Sequence, residues 1–78
     1  MHSVIIYSTP ACPFCAMAKL FFKEHNIEYT EKNVAGDPAA TGEMIEKSGQ
    51  LGVPVIQIDD NVLIGFDKSV VSKLLGIE

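Results

Sequence analysis

Two cysteines, Cys12 and Cys15, stand with only Pro13 and Phe14 between them, and they are the two cysteines of a 78-residue chain. Small domains have thin cores and are often held by several disulfides that close long loops. A bridge across two residues closes almost no loop and removes little entropy from the unfolded chain. The fold must therefore rest on its apolar side chains. A content of 47% hydrophobic against 21% charged residues suffices for a compact core. A disordered chain and a disulfide-scaffolded module are both excluded. The length fits one domain over residues 1–78. Both thiols are left free for chemistry.

Charge narrows the partners. Lysines supply all six basic residues against ten acidic ones, for a net charge of −4 and an isoelectric point near 5.0. Nucleic-acid binders carry a basic face with guanidinium clamps, so no nucleic-acid partner is expected. No apolar run approaches the roughly 18 residues of a membrane span. The sequence opens at once on a strand-like run, without the basic start and small-residue cleavage site of a signal peptide. A cytoplasmic monomer is the expectation.

Val4-Ile5-Ile6-Tyr7 reads as a strand buried on both faces. A helix is predicted from Cys12 to about His25, with Pro13 in its first turn and Asn26 as its stop. Phe14, Met17, Ala18 and Phe21 are its expected core face, with Lys19 and Lys23 opposite. Alternation over Ile27–Val34 predicts an edge strand. Asp37 and Pro38 start a helix that runs to about Ser48, with Ala40, Met44 and Ile45 inward and Gly49 at its end. Residues 53–58 and 62–64 read as a hairpin turning at Asp60-Asn61. Asp67 caps a last helix with Val70, Val71, Leu74 and Leu75 inward and Gly76 as its stop. The order is β-α-β-α-β-β-α.

Three segments point to chemistry. A C-x-x-C pair between a strand and a helix reads as a thiol–disulfide redox motif. The spacing brings both sulfurs within bonding reach on one helical turn. Cys12, at the helix start, meets unpaired N–H groups that favour an anion. A stabilised thiolate also leaves a mixed disulfide faster. Cys15, one turn further in, is the expected resolving thiol. The alternative, half of a zinc site, lacks ligands, because His2 and His25 match no finger spacing; no metal is expected. The second segment is Val53-Pro54. A proline opening a strand that otherwise reads as central is explained by a cis peptide, or by a trans proline on an edge strand. Beside the thiol pair the cis form is the expectation, and it frees the Val53 backbone to pair with an extended ligand. The third is Gly65-Phe66-Asp67. Gly65 serves either close ligand approach or a simple turn. Asp67 serves as a helix cap or as a contact for a ligand ammonium.

Cys12-Pro13-Phe14-Cys15, Val53-Pro54 and Gly65-Phe66-Asp67, in this order across the whole chain, resemble the glutaredoxin family of the thioredoxin superfamily. The resemblance implies an α/β thioredoxin-like (glutaredoxin) fold, a four-stranded mixed sheet with three helices, and a cis Pro54. It implies a thiol–disulfide oxidoreductase that reduces protein disulfides or glutathione mixed disulfides. Cys12 is then the nucleophile and Cys15 the resolver. No cofactor is bound, and glutathione is the reductant or co-substrate. Pro13, Phe14, Val53, Pro54, Gly65, Phe66 and Asp67 would contact glutathione or a peptide. The chain departs from the family pattern where Ser8-Thr9-Pro10-Ala11 lacks a lysine. It departs again where Gly52 precedes Val53, and where Ile64-Gly65 and Lys68 replace a glycine pair and a second acid. The implied glutathione site is only partly present. Gln50-Leu51 and Gly65-Phe66 are also similar to the NrdH-type redoxins, which thioredoxin reductase reduces and which donate electrons to ribonucleotide reductase. A further alternative is a [2Fe–2S] carrier in which two subunits each give Cys12 alongside glutathione; Pro13 stiffens the motif against it.

Overall fold

A computed structural model of the chain describes residues 3–50 and 52–77. His2 and Leu51, used in the sequence reading, lie outside the described residues. The elements are β1 (Val4–Ser8), α1 (Pro13–Glu24), β2 (Thr30–Asn33), α2 (Pro38–Ser48), β3 (Val55–Ile58), β4 (Asn61–Ile64) and α3 (Lys68–Leu75). Their order is the predicted one. The strands form one sheet in the order β2-β1-β3-β4. β1 runs parallel to β2, with Ile5 opposite Thr30. It runs antiparallel to β3, with Ile6 opposite Ile56. β3 and β4 are an antiparallel hairpin.

The central place of β1 explains its unbroken apolar run. Successive side chains of a strand point to opposite faces, and here both faces are covered. Val4 and Ile6 join Ala18, Phe21 and Phe22 of α1, Ile56 and Ile58 of β3, and Val71 and Leu75 of α3 in the main core. Tyr7 turns the other way and packs with Met44 of α2 and Val55 of β3. Caps fix the helix ends. Asp37 accepts from the Ala40 N–H at 3.1 Å, and Asp67 accepts from the Ser69 and Val70 N–H groups at 3.0 and 3.3 Å. Gly49 and Gly76 end α2 and α3 in the left-handed conformation.

Several expectations are corrected. The buried face of α1 is Cys15, Ala18, Phe21 and Phe22, while Phe14 and Met17 are 58% and 53% exposed. The two candidate stripes differ by less than one turn, and the small Cys15 and Ala18 allow the helix to lie close to the sheet. Ile45 and Val70 are exposed rather than inward, at the margins of their stripes. β2 is shorter than predicted because Ile27 and Tyr29 pack against the core before the ladder begins at Thr30. β3 begins at Val55, and the hairpin turns at Asp59-Asp60, one residue early, with Asp59 at φ +55°. Asn61 opens β4 and its side-chain amide donates to the Ile58 carbonyl at 3.3 Å.

Candidate active site

The thiol pair sits where β1 gives way to α1. The Cys12 N–H donates to the Thr9 carbonyl at 3.3 Å, which turns the chain into the helix. Pro13 then occupies the first helical turn, where its missing N–H costs nothing. Cys12 is the N-cap itself, with extended backbone, rather than the first residue inside the helix. Its Sγ accepts a hydrogen bond from the Cys15 N–H at 3.2 Å. That bond does for sulfur what a capping serine does for oxygen, and it strengthens when the sulfur is negative.

The two thiols are free and unequal: Cys12 is half-buried and Cys15 wholly buried. Burial pushes the Cys15 thiol up to about 11, and the adjacent Cys12 side chain adds to the rise. The Thr9 backbone and the Lys19 charge pull the other way and do not offset it. Cys15 therefore holds its proton at neutral pH.

The Val53–Pro54 peptide is cis, as expected from its company with the thiol motif in the sequence. Pro54 is buried and Val53 half-buried. Among the described residues, no hydrogen bond engages the Val53 N–H or C=O. The Pro54 carbonyl instead accepts from the Gly65 N–H at 2.8 Å, which joins the β3 and β4 ends of the site. Phe14, Val53, Pro54, Ile64, Gly65, Phe66 and Asp67 line a groove of about 310 Å³. The fold thus brings six of the residues singled out in the sequence to one groove. Pro13 is exposed and does not line it. Neither thiol is among its lining residues, but Phe14, which stands between Cys12 and Cys15 in the chain, is. Larger hollows of about 440 and 410 Å³ lie along α2 and take no residue from the Cys12–Cys15 segment, which leaves the smaller groove as the candidate site.

Individual roles sharpen here. Phe14 presents its ring outward. The Phe66 ring packs on Phe21, centroids 5.7 Å apart, so much of it serves the core. Asp67 uses Oδ1 as a helix cap. One network escaped the sequence reading. Glu31 Oε2 accepts from the buried Ser8 hydroxyl at 2.8 Å and from Lys19 Nζ at 2.8 Å. A second lies under α2, where Glu43 Oε2 accepts from the Tyr7 hydroxyl and from Lys32 Nζ, both at 2.6 Å. Each pairs residues that only the sheet register brings together.

A half-exposed thiol capping a helix, a buried thiol one turn on, and a cis proline that shares a groove with the intervening Phe14 define a thioredoxin-like redox protein. The glutaredoxin family model matches residues 4–63. A glutaredoxin-like 8.6 kDa protein of the rubredoxin operon of Clostridium pasteurianum is 47% identical over 70 residues, covering 90% of this chain and 93% of that one. Glutaredoxin 3 of Escherichia coli K12 is 36% identical over 67 residues, covering 86% and 81%. The crystal structure of a mutant of the thioredoxin-like protein BC3987 superposes with a TM-score of 0.91 at 33% identity, covering both chains completely. The chain belongs to the glutaredoxin family, and its fold is the thioredoxin-like fold predicted from its sequence.

Proposed function

We propose that this protein is a dithiol oxidoreductase that reduces protein disulfides or glutathione mixed disulfides in the cytoplasm. The observation that carries the reading is the asymmetry of the pair: a half-exposed Cys12 Sγ receiving the Cys15 N–H, and a wholly buried Cys15 beside it. Cys12 attacks the substrate disulfide and forms a mixed disulfide while the first substrate thiol leaves. Cys15 then attacks the Cys12 sulfur, the second substrate thiol leaves, and the Cys12–Cys15 bond forms. The substrate gains two electrons and the pair loses two. Glutathione resets the pair. The unengaged Val53 backbone suits the main chain of a short extended thiol peptide. The outward Phe14 ring offers apolar contact to a protein substrate. The Asp67 carboxylate, which lines the groove, suits an ammonium group.

The test is a coupled reductase assay on a glutathionylated substrate. NADPH consumption with glutathione and glutathione reductase is the expected result. Consumption only with thioredoxin reductase moves the protein to the NrdH-type branch. Consumption with neither, from a fully reduced protein, refutes the oxidoreductase reading.

A further inference from the structure

We infer that Lys19, anchored by Glu31 and Ser8, is the cation that eases ionisation of Cys15 when Cys15 resolves the mixed disulfide. The inference rests on the dithiol reading above and names the group that makes its second step workable.

Resolution needs the Cys15 thiolate, and Cys15 is 0% exposed. A charge formed in such a place is costly without a counter-charge close by. Lys19 lies four residues on along α1, so it shares the face of Cys15 with Cβ atoms about 5–6 Å apart. A free lysine at that position would extend into water. This one is held, because Nζ donates to Glu31 Oε2 at 2.8 Å. Glu31 is itself fixed from behind by the Ser8 hydroxyl, a fully buried group at the end of β1. The parallel register, Ile6 opposite Glu31, sets that geometry. An ion pair with side chains 27% and 40% exposed adds little to stability. What the clamp does is hold one positive charge on the Cys15 side of α1, within electrostatic reach of the buried sulfur.

The charged surroundings agree. Cys12, at the cap of α1, opposes the Cys15 thiolate, and Lys19, on α1, favours it. Lys19 in turn feels Glu31 of β2, Tyr29 and Cys15, and Glu31 feels Lys23 as well as Lys19. In the step itself the Cys15 S–H proton ends on the departing substrate thiolate. The Cys15–Cys12 sulfur bond forms as the Cys12–substrate bond breaks, and Lys19 stays protonated throughout. Lys19 stabilises the charge; Glu31 and Ser8 are positioning residues.

Reaction with an aromatic disulfide such as 5,5′-dithiobis(2-nitrobenzoate) separates the steps. Attack by Cys12 releases one coloured thiolate, and resolution by Cys15 releases the second. Lys19→Met is expected to slow the second release about tenfold, the effect of one partly screened charge at this spacing, and to leave the first within about twofold. Lys19→Arg, which keeps the charge, should recover most of the rate. The pH at which the second release is half-maximal should move upward in Lys19→Met. An unchanged second phase, an equal slowing of both phases, or Lys19→Arg as slow as Lys19→Met would each overturn the inference. A wild-type protein that releases only the first thiolate refutes the dithiol reading, and the inference with it.

Discussion

Gly65 offers a test in which only backbone conformation changes. It ends β4 at φ +85°, and its N–H holds the Pro54 carbonyl at 2.8 Å. A methyl group built at this position meets nothing within 4 Å. Gly65→Ala therefore creates no clash, and its whole cost is that of putting an L-residue in the left-handed region, about 1–2 kcal/mol. A chain of this size is stable by only about 4–12 kcal/mol in total. That cost lowers the melting temperature by about 4–16 °C. Gly65→Asn, whose side chain tolerates this region, should lose distinctly less. Urea denaturation at pH 7 reads both variants, with the midpoint shifting and the slope unchanged. The reasoning is refuted if both variants keep the wild-type midpoint. If they do so while both raise KM for a glutathionylated substrate, Gly65 serves ligand approach alone, the other role the sequence allowed.

Cys12→Ser should lose all exchange, whereas Cys15→Ser should still attack and then stop as a mixed disulfide, visible by mass as a stable substrate adduct. Stability should decline as pH rises from about 8.5 toward 11. The unfolded Cys15 thiol ionises near 8.5, whereas the folded one holds its proton up to about 11, so the unfolded state binds fewer protons across that window. Tyr7, whose hydroxyl burial and Glu43 also push upward, acts in the same direction; urea midpoints that stay level from pH 7 to pH 10 would contradict this. Phe22→Ala removes a fully buried ring packed on Phe21 and Tyr29. It should cost about 3–5 kcal/mol, read as a large loss of urea midpoint, and a cost below about 1 kcal/mol would show that the core can close over the gap.

Most of this was legible in the chain because local signals agreed with the global fold. Asp37 with Pro38, Asp67, Gly49 and Gly76 marked helix ends that the structure places at those residues. Val4–Tyr7 read as a covered strand because it is central. The α1 face was misjudged because periodicity weighs Phe14 and Met17 above Cys15 and Ala18. Close packing against a sheet favours the smaller pair, and the larger side chains are left exposed, Phe14 in the lining of the groove. The Lys19–Glu31–Ser8 network was invisible for a different reason. Each residue looks ordinary alone, and only the β1–β2 register sets Glu31 between a helix lysine and a strand serine. The groove was legible as separate motifs, but their meeting depends on the hairpin and on the Gly65–Pro54 hydrogen bond.

The strand order has a consequence for how the protein is made. β1 is synthesised first, yet one of its neighbours is β3, with Val4 opposite Ile58. The sheet centre beneath α1 is therefore incomplete until Ile58 has emerged from the ribosome, and α3 closes the core later still. Such long-range pairing forms late. Until then Cys12 and Cys15 are two similar, accessible thiols. The division of labour between them belongs to the finished chain, so a nascent chain meeting an oxidant has no protected cysteine.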